Sequence, residues 1–166
     1  MKPKIQNLLR EISSPEKKIS SEAILRIAMI LEMNTLAKSE HQRVGYYDSY
    51  ILPWSLIFVT LNRQEQAEIT QQLYQIFVSQ DISGAGIFWA FQKTEEIVAL
   101  APLLKIIEEC YHRLTEEQIE DILSALYECL ANASDSWVEI DLEIQSLFQK
   151  PQVVKFLEDN GVSVQL

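Results

Sequence analysis

The segment Thr115-Glu116-Glu117-Gln118 constrains this chain more than any other. A Thr followed three residues later by Gln lets each side chain reach the other's backbone N–H, the reciprocal capping box that opens a helix. Behind it Ile119, Ile122, Leu123, Leu126 and Leu130 recur at the helical period, while Glu117, Glu120, Asp121, Ser124 and Glu128 share the opposite face. Such a segment is a surface helix with one side in a core and the other in water. Only four Gly and five Pro occur in 166 residues, too little punctuation for a disordered or loop-rich chain. A chain this long buries roughly 70% of its unfolded surface. The expectation is one all-α domain over 1–166 with about seven to nine helices, arranged as a short right-handed stack of helical hairpins or as an irregular helical bundle.

Other helix signals support that class. Pro3 suits the first turn of a helix to about Ile12, and Ser13-Ser14-Pro15 breaks the chain. Ser20 or Ser21 caps a second helix to about Lys38, with Ile24, Ile27, Ala28 and Leu31 on one face. Asn62 caps a third, striped by Ile69, Leu73, Ile76 and Phe77, and residues 81–86 read as a loop. Thr94 caps the next helix. Ile97 to Ile107 contains a single charge, Lys105, so this stretch belongs at the centre, with Pro102 either kinking it or opening a new helix. Ser134 or Asp135 caps a helix that turns Trp137, Ile140, Ile144, Leu147 and Phe148 inward. Pro151 opens a last one, closed by Asn160-Gly161. The apolar runs 55–61 and 86–91 are too short for periodicity to arbitrate; their helical surroundings favour helix for both.

Thr94-Glu95-Glu96 recurs as Thr115-Glu116-Glu117, and each copy opens an apolar helix with a Cys toward its end, Cys110 and Cys129. Two capped helices in about 40 residues match the size of a HEAT or armadillo repeat unit. Residues 94–133 thus resemble one helical-repeat hairpin, and 134–160 a shorter pair closing the stack. The resemblance implies a stacked-helix protein that binds another macromolecule on one face.

The formal charge of −10 is unevenly spread: residues 1–43 carry +3, the aromatic middle segment 44–93 carries −2, and 94–166 carry −11. An acidic surface of this size disfavours nucleic acid and anionic membranes as partners, because phosphate contacts need Lys and Arg. The longest uncharged run, residues 49–62, is fourteen residues broken by Pro53, short of the roughly 20 needed to cross a bilayer. No signal peptide is read at the start, and two Cys inside helical patterns suit reduced, buried thiols, which points to the cytoplasm.

Chemistry-bearing motifs are sparse. Glu109 and His112 have the Glu-x-x-His spacing of di-iron bundles, but the only other histidine, His41, has Lys38 where a second Glu is required. Cys110 and His112 are two apart and diverge on a helix; no nucleophile elbow or phosphate loop is present. No catalytic residue, metal site or cofactor is therefore assigned. The expected role is a protein–protein interaction module: an adaptor, regulator or inhibitor. Its candidate contacts are an aromatic anchor of Tyr46, Tyr47, Tyr50 and Trp54, and an acidic patch of Glu117, Glu120, Asp121 and Glu128 for a basic partner. The alternative is a small helical enzyme or metal-binding bundle built on the C-terminal carboxylates and His112.

Overall fold

The computed structural model describes residues 1–35, 59–80, 85–94, 96–135 and 142–164, and among them there is helix and no strand. Among these residues eight α-helices follow in order: α1 (Pro3–Ile12), α2 (Lys17–Thr35), α3 (Arg63–Ser79), α4 (Ala85–Gln92), α5 (Glu96–Cys110), α6 (Glu116–Asp135), α7 (Leu142–Phe148) and α8 (Pro151–Asp159). A 3₁₀ turn, Tyr111–Arg113, links α5 to α6. The chain is all-α, as its periodicity predicts.

Helix ends form where local chemistry satisfies the orphan backbone groups. At α3 the Asn62 side chain accepts from Glu65 N at 2.9 Å, and the Glu65 carboxylate accepts from Asn62 N at 2.9 Å. At α6 Thr115 and Gln118 make the same reciprocal pair at 3.0 and 3.2 Å. Pro3 and Pro151 each occupy a first turn, where the missing N–H costs nothing. At the end of α8, Gly161 takes φ +65°, and the next N–H, from Val162, donates to Leu157 O at 2.9 Å.

Four local expectations need correction. The second helix starts at Lys17, not behind a Ser20 or Ser21 cap; Ser20 Oγ instead donates to Ile12 O at 2.6 Å and ties α2 to the end of α1. Thr94 is buried and its hydroxyl donates back to Ala90 O at 2.8 Å, closing α4 rather than capping α5. Ser134 and Asp135 lie within the last turn of α6, and Trp137 and Ile140 fall outside the described residues. Residues 59–61, placed in a helix by sequence, are not helical: Asn34 Nδ2 donates to Val59 O at 2.8 Å, and Asn34 Oδ1 accepts from Leu61 N at 2.7 Å. One side-chain amide thereby pairs with a carbonyl and an N–H of a non-helical segment, giving two of its backbone groups partners outside any helix. Residues 55–58 lie outside the described residues, whereas 86–91 are helical as expected.

α5 is the hub. Leu100, Leu103, Leu104, Ile106 and Ile107 are fully buried, as expected of a helix apolar nearly all round. It packs against α3, α4, α6, α7 and α8, while α1 joins the bundle through α2, and α2 through α4. Pro102 sits inside α5, so the carbonyl of Val98 has no partner four residues on. Thr70 of α3 supplies one, its hydroxyl lying 3.3 Å from Val98 O and 3.0 Å from Ala67 O.

α2 and α4 touch at Gly86, where the loop expected over 81–86 and the helix expected over 86–91 overlap, and the structure places it inside α4. A Cβ there would lie 2.4 Å from Ile24 Cγ2 and 3.2 Å from Ile24 Cβ, too near the backbone for a rotamer change to relieve. In an exposed helix Gly→Ala gains about 1 kcal/mol. Here Gly86→Ala is expected to destabilise by a net ~1–2 kcal/mol, as overpacking outweighs propensity. Chemical denaturation checks this: a gain in stability would mean the helices do not meet at this glycine.

Candidate functional site

α6 buries Ile122, Ala125, Leu126 and Cys129 against α4 and α5, and this fixes what its other side presents. Glu117, Glu120 and Glu128 are exposed and Asp121 is half-buried, so the helical period places all four predicted acidic residues on one outward stripe. Tyr127, 55% exposed, stands at that stripe's edge, seven residues after Glu120 and three after Ser124. Burial, followed by the charges of Glu117 and Glu120, raises the Asp121 carboxyl above the usual aspartate range.

The stripe is uncompensated for a structural reason. Residues 94–166 contain four bases, Lys105, Arg113, Lys150 and Lys155. Lys105 pairs with Glu143 at 3.3 Å, Lys150 with Glu108 at 3.6 Å, and Lys155 with Asp159 at 2.8 Å. Arg113 turns to the end of α3, donating to Phe77 O at 3.3 Å and Val78 O at 3.2 Å with its guanidinium over the Phe77 ring. Among the described residues, none of Glu117, Glu120, Asp121 and Glu128 takes part in an ion pair.

The metal candidate is spoken for otherwise. The Glu109 carboxylate accepts the Tyr74 hydroxyl, His112 lies exposed on the 3₁₀ turn, and among the described residues no three His, Cys, Asp or Glu side chains converge. Burial and the bond to Glu109 push the Tyr74 phenol up to about 12. The folded state thus favours the protonated phenol, a contribution complete below the ordinary value of 10 and lost as pH rises through about 12. Tyrosinate absorbance of wild type minus Tyr74→Phe should titrate near that upper value; a difference curve centred at 10 would show Tyr74 to be solvated.

Cys110 and Cys129 are both buried. Burial raises the Cys110 thiol, and Arg113, donating to its Sγ at 3.3 Å, offsets this in part. A shielded thiol with a raised pKa is a poor nucleophile.

The aromatic anchor Tyr46, Tyr47, Tyr50 and Trp54 lies outside the described residues, as does His41. Two participants escaped sequence reading: Tyr127, detectable from its spacing to Glu120, and Arg113, whose role depends on α3. Among the described residues, no helix is long and apolar enough to cross a membrane. No protein-family model matches the chain, and comparison with curated proteins and with solved structures found no match to it.

Proposed function

We propose that this protein is a non-catalytic interaction module of the cytoplasm, an adaptor, regulator or inhibitor that binds a basic protein surface through α6. The observation that carries the reading is the uncompensated stripe of Glu117, Glu120, Asp121 and Glu128 beside the exposed Tyr127. Like charges held together without counter-ions repel, and a basic partner relieves that repulsion while speeding encounter. Tyr127 adds a flat, amphipathic contact of the kind enriched at interface centres. The hairpin of α5 and α6 supports a HEAT-like mode of use, one helix in the core and the next presented to a partner. The net charge argues against nucleic acid.

The test compares partners captured by wild type and by Glu120→Lys/Asp121→Lys, followed by association kinetics of a purified partner at increasing salt. The expected partner is basic, is lost on charge reversal, and associates more slowly as ionic strength rises. A partner set unchanged both by that reversal and by Tyr46→Ala/Tyr47→Ala overturns the assignment of these surfaces.

A further inference from the structure

A second surface has different chemistry. α1 and α3 run in the same direction and are bridged at both ends by polar contacts: Lys2 pairs with Glu65 at 3.5 Å and donates to Thr60 O, and Gln80 Nε2 donates to Ser13 Oγ at 2.9 Å. Between the bridges lies a groove of about 820 Å³, within the size range of ligand clefts. Its walls carry the amides of Gln6 from α1 and Gln64, Gln71, Gln72 and Gln75 from α3. Among the described residues these five side chains make no hydrogen bond to another protein group. Leu9, Ala67 and Ile76 add apolar lining, and among the described residues its charged side chains are one Arg10 and one Glu68, so the lining is close to neutral.

The geometry points to an extended, uncharged polypeptide segment as the ligand of this groove, held by pairing of glutamine amides with its backbone. A primary amide presents a donor and an acceptor together, the complement of a peptide unit. This protein already uses that pairing once, where the Asn34 amide holds Val59 O and Leu61 N of its own non-helical segment. From Gln64 to Gln75, α3 advances about 16 Å, the length of about five residues of extended chain. The neutral lining disfavours phosphate or strongly charged peptides. Among the described residues no aromatic ring lines the groove, so they supply no stacking platform of the kind that sugar rings favour, and a peptide is favoured over an oligosaccharide.

The test uses the whole chain and a pool of N-acetylated, C-amidated decapeptides of Gly, Ala, Leu, Ser, Thr, Asn and Gln. Peptides retained by the immobilised protein are identified by mass spectrometry and titrated against ¹⁵N-labelled protein, whose glutamine side-chain NH₂ groups give their own resonances. Binding should move the resonances of Gln71, Gln72 and Gln75. It should weaken about tenfold or more in Gln71→Ala/Gln75→Ala, as several hydrogen bonds are lost, and stay unchanged in Glu117→Lys/Glu120→Lys. Gln75, Glu117 and Glu120 are exposed and Gln71 is half-buried, and an unchanged denaturation midpoint verifies that both variants keep the fold. The proposal is overturned if no peptide is retained, if retained peptides leave these amides unmoved, or if only a linear glucose oligosaccharide moves them. None of these outcomes bears on the α6 surface, whose own test is partner capture after charge reversal.

Discussion

Phe88→Ala is expected to lower the unfolding free energy by about 3–5 kcal/mol, the largest effect of any substitution considered. Phe88 is fully buried, its ring edge-on to Phe77 at 5.1 Å between centroids and tilted against Phe91 at 6.4 Å. Truncation removes the transfer energy of the ring and leaves a cavity between helices that cannot close independently. α4 is an eight-residue helix packed on α2, α5 and α6 as well as α3, so it cannot move toward one neighbour without leaving another. Phe77 is also pinned from its far end, because Arg113 lies over its ring and holds the α3 carboxyl terminus. Phe88→Leu retains most of the volume and should cost roughly 1–2 kcal/mol. Urea denaturation with an unchanged m-value reads both variants; equal costs for Ala and Leu would mean that ring packing contributes little at this position.

Thr70→Val is expected to cost about 1–3 kcal/mol, because it leaves the buried Val98 carbonyl without the hydroxyl that serves it. The cause is specific and can be isolated. Proline at 102 deprives that carbonyl of its helical N–H, and Pro102→Ala restores it. In the Pro102→Ala background, Thr70→Val should therefore cost at least about 1 kcal/mol less than in the wild type, a coupling that a double-mutant cycle measures directly. An identical cost in both backgrounds would assign the hydroxyl to Ala67 O instead, its other acceptor at 3.0 Å. The buried threonine on α3 and the proline inside α5 are thus one device spread over two helices.

The stripe on α6 shows how far sequence reading reaches toward a site. Its residues share a face because they recur at the helical period, and that follows from spacing alone. That the stripe is uncompensated depends on where four distant bases point. Lys105 and Glu143 are 38 residues apart in sequence, and Arg113 serves carbonyls 35 and 36 residues away. The groove glutamines were invisible for the same reason: five amides scattered over two helices become a set only when α1 and α3 lie side by side.

What the amino-acid sequence determined by itself is the helical class, the capping box at Thr115, the cap at Asn62, the first turns at Pro3 and Pro151 and the stop at Asn160-Gly161. Each rests on partners within one or two turns of chain, so propensity, capping and periodicity decide it before any helix meets another. Tertiary structure alone decided the start of α2, the non-helical course of Val59 to Leu61, the close approach of α2 to α4 at Gly86 and the tolerance of Pro102 in α5. In each case the deciding partner is remote: Ser20 reaches back to Ile12, Asn34 holds a segment up to 27 residues away, Ile24 crowds Gly86, and Thr70 serves a carbonyl 28 residues on. A backbone polar group accepts whichever partner packing brings within reach, and that choice is made only when the helices assemble.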